Sequence, residues 1–232
     1  MGRRTGGALD RALHLEGVHG IFSVQHFTEG VDKEVAQGIA LANLAKEMGI
    51  RHFLYSSALG ANLHSGVPAF ESKFKIENHI QSLGIPYTIL RPASLFDNFL
   101  IPQVKKGILK GKLVQPINRE TVIQYVACDD IGKAALRIFQ HTELFLNKAI
   151  PLSEEQLSTG EVAAVFTRTL NRPVEYKRLP DLIVRIFLGR NLYSMFKWVN
   201  GESHVDKKDI ETSKALFPDL QNLSSWIKQH FQ

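Results

Sequence analysis

The chain has 232 residues, 44% of them hydrophobic and 22% charged, which allows one domain of ordinary size with a sizeable core and a small appendage. No segment approaches the roughly 18–20 apolar residues that cross a bilayer, and the basic N-terminus lacks the apolar core of a signal peptide. The single cysteine, Cys128, excludes an intrachain disulfide and a cysteine-based zinc site. The nine histidines are scattered. We therefore expect a cytoplasmic protein with no bound metal and no membrane partner.

The net charge of +5 and the pI near 9.3 could attract nucleic acid or phosphorylated ligands. However, the basic residues are spread along the chain. Their densest set, Arg168 to Lys197, is interrupted by Glu175 and Asp181. This distribution favours a solvated basic face over a specific nucleic-acid site.

In the first part of the chain the spacing of apolar residues alternates between that of strands and that of helices. Short connections between such elements are typical of parallel strands with right-handed crossovers. The predicted elements, in order, are a strand in His19–Gln25, a helix over Val31–Met48, a strand over His52–Ser57, a helix over Ala69–Leu83 and a strand over Tyr87–Leu90.

The alternation loosens after Pro92, and the C-terminal third is mostly helical. We predict helices over Leu95–Leu109, Asp130–Gln140 and Thr159–Leu170, one or two helices in Asp181–Val199 broken near Gly189, two short helices in Lys207–Gln232 separated by Pro218, and strands over Thr121–Ala127, Lys148–Pro151 and Val174–Lys177. The fold class is thus α/β, a partial Rossmann-like doubly wound parallel sheet with a small, mostly helical C-terminal region. We divide the chain into residues 1–150 and 151–232.

Two strand ends offer candidate binding residues, because ligands of open parallel sheets lie beyond the carboxyl ends of the strands. The first strand ends in four such candidates for a cofactor cleft, Phe22, Ser23, Val24 and Gln25. The second ends in Ser56 and Ser57, whose hydroxyls could bind a carbonyl substrate or a cofactor amide, or simply cap a turn.

The helix after the second strand carries Lys73 among apolar and aromatic residues. This lysine either points into a cleft and binds a ribose hydroxyl, or is a surface lysine with a partly covered stem.

The third strand runs into Pro92, which fixes the chain as it leaves the sheet, and Ala93, which is small enough for a flat ring to approach. Together with Leu95 they are candidates to pack against the flat ring of a cofactor. Asn98 is either a structural amide in a turn or a ligand contact.

Taken together, four segments resemble the NmrA-like branch of the atypical short-chain dehydrogenases/reductases. They are FLYSS (53–57), a lysine sixteen residues beyond Ser57, GIPYTILRPASLFDNF (84–99) and VACDDIG (126–132). The segment LDRALHLEGVHGIFSVQ (9–25) is similar to the part of the family that leads into its fourth strand. The resemblance covers Leu9 to Ala149 and continues through the C-terminal helices.

The resemblance implies a sheet that binds NADP or NAD and a catalytic serine, tyrosine and lysine. Ser57, or Ser56, matches the serine and Lys73 the lysine, but the tyrosine position holds Ala69, which cannot transfer protons. The resemblance therefore implies a redox sensor or regulator that binds NAD(P). The alternative is an NAD(P)H-dependent oxidoreductase that reduces a small acceptor such as a quinone, with Ser57 orienting the acceptor.

The family's first strand and its glycine-rich turn, which holds the pyrophosphate, have no counterpart here. Gly2, Gly6 and Gly7 follow no apolar strand. We expect a chain that lacks its first three strands, belongs to a longer protein, and leaves His19–Gln25 as an exposed edge that a protein partner or a second copy could cover. A fragment without cofactor binding is a third alternative. NAD and NADP are not distinguished, because the residues that choose between them follow the missing second strand.

Overall fold

The computed structural model describes residues 17–187, 189–201 and 206–231. Its strands are β1 (Gly20–Val24), β2 (His52–Ser56), β3 (Tyr87–Pro92), β4 (Ser94–Leu95), β5 (Lys112–Gln115), β6 (Val122–Val126), β7 (Lys148–Leu152), β8 (Glu155–Ser158) and β9 (Glu175–Arg178). Its α-helices are α1 (Val31–Glu47), α2 (Pro68–Ser82), α3 (Pro102–Leu109), α4 (Cys128–Gln140), α5 (Thr142–Phe145), α6 (Thr159–Leu170), α7 (Asp181–Phe187), α8 (Gly189–Gly201), α9 (Lys207–Leu216) and α10 (Leu223–His230).

The central sheet has the strand order β1-β2-β3-β7, and all of its strands are parallel. Val24 lies opposite Ser56, and Ser56 lies opposite Leu90, so the carboxyl ends of the first three strands form one continuous edge. In the part of the chain that the structure describes, β1 pairs with β2 alone. The parallel arrangement and the alternating order of strands and helices were both predicted.

Helices cover both faces of this sheet, which makes it doubly wound. On one face, α1 and α2 pack over the apolar residues of β1, β2 and β3, with Phe53, Ile76 and Ile89 fully buried. On the other face, α4 packs over Leu54 and Leu90. A sheet buried on both faces explains why its strands read as continuous apolar runs.

The predicted single helix over Leu95–Leu109 is wrong. The structure has strand β4, a 3-10 helix over Phe96–Leu100 and then α3. The break comes at Pro102, which occupies the first turn of α3 and cannot donate a backbone hydrogen bond to a helix that precedes it. Helix α4 begins at Cys128, before the predicted start at Asp130, which lies in its first turn.

A second core joins the end of the sheet to the C-terminal helices. Strand β6 pairs in parallel with β4 and antiparallel with β8, and β5 pairs with β9. Phe99, Phe166 and Trp226 form the centre of this core. Helix α6 begins with a capping box between Ser158 and Glu161. Strand β7 includes residue 150, which is where we divided the chain. That division stays a prediction.

Gly2, Gly6 and Gly7 lie outside the described residues, as does the beginning of the segment from Leu9. No helix in the described ranges is both long and apolar enough to cross a membrane.

Candidate functional site

Lys73 lies at the carboxyl end of β1, on the face of the sheet that α1 and α2 cover. Its ammonium group donates to the backbone oxygen of Gln25 at 3.3 Å and to the carboxylate of Glu34 at 3.0 Å. The lysine side chain is only 14% exposed. Lys73 is therefore not a solvated surface lysine, and its charged end is fixed where the first strand leaves the sheet.

Glu34 holds this lysine in place. It belongs to the buried face of α1, is fully buried, and also accepts a hydrogen bond of 2.5 Å from the hydroxyl of Ser72. A buried carboxylate is tolerated only when it is paired and hydrogen-bonded, and both conditions are met here. No pattern in the sequence indicates this role, because a glutamate in the first turn of a helix is usually solvated.

Ser57 takes part in a second buried cluster. Its hydroxyl donates to Glu77 at 2.5 Å, and Glu77 in turn accepts two hydrogen bonds from the guanidinium of Arg91 at 3.1 and 2.6 Å. Glu77 is fully buried, and the side chain of Arg91 is 17% exposed. The hydroxyl hydrogen of Ser57 is thus used in the bond to Glu77, whereas the hydroxyl oxygen can still accept a hydrogen bond.

Tyr55 lies within the electrostatic influence of both carboxylates but cannot replace the missing tyrosine. Its hydroxyl is buried without a hydrogen-bond partner among the described residues. Burial, followed by the negative charges of Glu34 and Glu77, raises the pKa of Tyr55 well above its ordinary value. Ala69, at the tyrosine position, is a buried apolar residue. Neither side chain offers a group that exchanges protons near neutral pH.

A cavity of about 360 Å³ opens beside this cluster, beyond the ends of β2 and β3. Four of the predicted cofactor-binding residues line it, Pro92, Ala93, Leu95 and Asn98. Asn98 belongs to the 3-10 helix after β4 and contributes to the wall of the cavity.

Most of the remaining wall residues come from three parts of the chain. The segment after β2 supplies Ala58, Leu59 and Gly60, strand β6 supplies Val122, Ile123 and Gln124, and helix α8 supplies Met195, Phe196, Trp198 and Val199. Phe70 of α2 meets Trp198 edge to face, with 5.1 Å between the ring centroids. The described residues that line the cavity carry no charge, so the cavity suits an uncharged, flat group.

The other predicted residues do not line this cavity. Ser23 is buried and exchanges hydrogen bonds with the side chain of Gln25. Phe22 and Val24 are 39% and 61% exposed on the edge strand. Ser56 is buried at the end of β2. The predicted site thus has two parts. The strand-end cluster consists of Ser57, Lys73 and Arg91 with the carboxylates of Glu34 and Glu77. The other part is the cavity, whose wall residue Phe70 lies one turn of α2 before Lys73.

A second cavity, of about 240 Å³, lies between α4 and residues 217–220 and contains none of the predicted residues. In the described ranges, no group of three or more metal-ligating side chains comes together.

Comparison with known proteins decides the family. The model of the NmrA-like family matches residues 7–227. The chain belongs to the NmrA-like family. Among curated NmrA-like relatives, the nitrogen metabolite repression protein nmrA of Emericella nidulans is 30% identical over 184 residues, which are 74% of this chain and 52% of that protein. An NAD(P)H azoreductase of Xenophilus azovorans is 29% identical over 163 residues, 70% of this chain and 55% of the other. The chain spans about half the length of these relatives.

Solved structures confirm the predicted fold class. A negative transcriptional regulator, NmrA, in complex with NADP superposes with a TM-score of 0.76 at 23% identity, over 97% of this chain and 77% of the other. The NADPH-dependent quinone oxidoreductase QOR2 of Escherichia coli, in complex with NADPH, superposes with a TM-score of 0.80 at 20% identity, over 98% of this chain and 81% of the other. The NmrA-like chain therefore shares their Rossmann-like architecture.

Proposed function

We propose that this NmrA-like chain binds the nicotinamide and adjacent ribose of NADP or NAD and acts as a redox sensor that regulates a protein partner. The position of Lys73 carries this proposal. An ammonium group has three donors, and two of them are held by Gln25 and Glu34. The third is available for a ribose hydroxyl at the carboxyl edge of the sheet, where such ligands bind.

The residues of the cavity fit the nicotinamide half of the cofactor. Pro92 and Ala93 form a small, apolar wall against which a flat ring can stack. The described residues contain no glycine-rich turn for the pyrophosphate, so this fit concerns the nicotinamide and its ribose only. The solved relatives in complex with NADP and NADPH support the same cofactor class.

The absence of an acid–base tyrosine favours regulation over catalysis. Ala69 cannot transfer a proton, and the raised pKa of Tyr55 keeps that phenol protonated. The repression proteins of Emericella nidulans and Neurospora crassa are relatives whose names describe regulation. A regulated partner could cover the edge strand β1, where Phe22 and Val24 are exposed; a second copy of the chain is the other candidate. A cytoplasmic location agrees with the single, exposed Cys128.

The second candidate function is an NAD(P)H-dependent oxidoreductase. The uncharged cavity, with Phe70, Phe196 and Trp198 in its walls, favours it because a flat acceptor could lie there against a nicotinamide. The cofactor supplies the hydride when bound. Because its own hydrogen is held by Glu77, Ser57 would orient only an acceptor that carries an O–H or N–H group to donate. The azoreductase and quinone oxidoreductase relatives support this candidate.

Calorimetric titration of the chain with NADP and with NAD tests the proposal. We expect one of them to bind with a dissociation constant below about 10 μM, which corresponds to roughly 7 kcal/mol. Lys73→Ala should weaken this binding by about tenfold, because it removes a charge-assisted hydrogen bond. The matched control is Lys75→Ala, two residues along the same helix, where the lysine is exposed.

No binding of either cofactor contradicts the proposal and leaves a chain without cofactor function. Unchanged affinity in Lys73→Ala contradicts the role of that lysine. Steady-state oxidation of NADPH with a panel of quinones then separates the two candidates, because turnover with any of them favours the oxidoreductase.

A further inference from the structure

The second cavity, between α4 and residues 217–220, has in its wall an arginine whose charge is unpaired within the described chain. Arg137 lies in the last turn of α4, is half-buried and lines this cavity. No described residue forms a hydrogen bond or an ion pair with its guanidinium, and its Nε is also shielded from solvent. The described lining residues are all different from those of the cavity assigned to the nicotinamide, so the proposed function does not use this site.

An unpaired arginine in such a position predicts an anionic ligand. A guanidinium keeps its charge in every protein environment and carries five N–H donors. The helix dipole favours a cation in the last turn of a helix, but it favours a fully exposed cation equally and bonds none of these donors. Partial burial of an unpaired charge costs free energy, which a bound anion offsets. Because Nε is closed to solvent, a ligand would meet Arg137 through its two terminal amino groups.

The other charged residues near the cavity restrict the charge of this anion. Lys133, one turn before Arg137, already donates to the fully buried Asp130 at 2.7 Å. Asp130 also accepts the backbone N–H of Gln221 at 2.6 Å, which ties the segment after α9 to α4. The exposed Asp219 lines the cavity and forms no ion pair with a described cation. One unpaired cation beside one carboxylate favours a singly charged anion and disfavours phosphate.

Most of the remaining wall is apolar. These side chains are Ala134, Leu136, Phe217, Pro218 and Leu220. Phe217 is buried and stacks on Phe145, with 5.8 Å between the ring centroids, so this side of the cavity is fixed in place. A volume of about 240 Å³ is enough for one small ring or branched chain, but not for a dinucleotide.

We infer that the second cavity binds the carboxylate of a small apolar acid, and that Arg137 recognises this carboxylate. The planar guanidinium can form two parallel hydrogen bonds with the two carboxylate oxygens, while the apolar part of the acid packs on the wall that contains Phe217. The carboxylate could come from two sources with the same chemistry. One is a free aromatic or branched aliphatic acid, and the other is the C-terminus of a partner chain that ends in an apolar residue.

Two pairs of probes, titrated into the whole chain without cofactor and followed by the amide chemical shifts in NMR, test the inference and distinguish these sources. Benzoate carries a carboxylate on its ring, and benzamide has the same shape without the charge. Acetyl-triglycyl-phenylalanine ends in a free carboxylate, and its C-terminal amide does not. In at least one pair we expect the carboxylate to bind about tenfold more tightly, with shift changes at residues 217–221, because it forms charge-assisted hydrogen bonds.

The pattern of preference assigns the source. A preference within the peptide pair assigns the site to the C-terminus of a partner chain, and a preference confined to benzoate assigns it to a free acid. Arg137→Gln should abolish the preference. The matched control is Arg51→Gln, because the side chain of Arg51 also has no bonded partner among the described residues but is exposed and does not line this cavity. This control removes the same charge and should keep the preference.

Equal binding within both pairs by the unaltered chain overturns the inference, as does a preference that survives in Arg137→Gln. Shift changes that avoid residues 217–221 also overturn it, because the probe then binds elsewhere. Tighter binding of inorganic phosphate than of either carboxylate overturns the assignment to a singly charged acid. The comparison within each pair needs no variant, so the inference stays testable even where Arg137→Gln does not fold.

Discussion

The strand-end cluster and the cavity lie side by side but differ in the charge of the side chains that form them. In the strand-end cluster, Glu34 and Glu77 are fully buried charges, each paired with a cation and hydrogen-bonded to a serine. In the cavity, the described lining residues are all uncharged.

This difference indicates that the cluster positions a cofactor and that the cavity binds a flat ring. Buried ion pairs fix atoms in place, since breaking one leaves an uncompensated charge in an apolar surrounding. The cluster can therefore hold the end of Lys73 at a defined point for a cofactor. The uncharged cavity binds mainly through shape and apolar contact, and can admit rings of different chemistry. On this view, changes in the cluster should lower stability, while changes in the cavity should alter ligand binding.

The largest effect is expected from Glu77→Gln in the strand-end cluster. The change removes the charge that neutralises Arg91, whose side chain is mostly buried. Loss of one partner of a buried ion pair should lower the free energy of unfolding by about 3–5 kcal/mol. Urea-induced unfolding followed by circular dichroism measures this loss.

Glu29→Gln is the matched control, because Glu29 pairs with Lys33 on the surface. It should leave the unfolding transition unchanged. If Glu77→Gln is as stable as this control, the cluster does not fix the site, and the contrast with the cavity loses its basis.

The sequence predicted the frame of the fold well because that frame depends on local patterns. The periodic apolar positions of α1 and α2 and the continuous apolar runs of β1, β2 and β3 are each contained in a short segment. The helix predicted over Leu95–Leu109 failed because β4 exists only through its pairing with β6, about thirty residues away. Pairing between distant strands leaves no periodic signal in either of them.

The same limit applies to the site. Lys73 was a candidate from the resemblance, but its partner Glu34 lies 39 residues earlier and resembles any glutamate at the start of a helix. Gln124 resembles a polar residue on an exposed strand face, yet it is buried and its amide nitrogen donates to the backbone oxygen of Asp206, 82 residues later. The strand ends could be predicted from sequence, whereas the groups that hold them required the three-dimensional arrangement.

A smaller effect on stability is expected from Trp198→Leu in the wall of the cavity. The change removes the edge-to-face contact with Phe70 and should cost about 1 kcal/mol in the free energy of unfolding. Binding of NADP should weaken by about tenfold, because a flat ring in the cavity loses an aromatic wall. Calorimetric titration measures the loss of affinity, and urea unfolding measures the loss of stability. A loss of stability as large as that of Glu77→Gln would show that the cavity wall is part of the rigid frame.

The smallest effect is expected at the opposite end of the sheet, where His52 begins β2. Its ring nitrogens lie within hydrogen-bond distance of Thr88, at 2.8 Å, and Thr142, at 3.2 Å. Burial, and secondarily the charge of His19, lowers the pKa of His52 below its ordinary value. Below pH 6.5 the unfolded chain therefore binds a proton that the folded chain resists, so stability falls as the pH drops from 6.5 towards the folded-state pKa.

His52→Gln should flatten this part of the pH dependence in urea unfolding measured between pH 7 and pH 5. Because His52 lies at the amino-terminal end of its strand, far along the sheet from Lys73, the variant should bind NADP as the unaltered chain does. An altered affinity would mean that the two ends of the sheet are coupled, and the separation of a stabilising frame from a binding edge would then apply only to the carboxyl end.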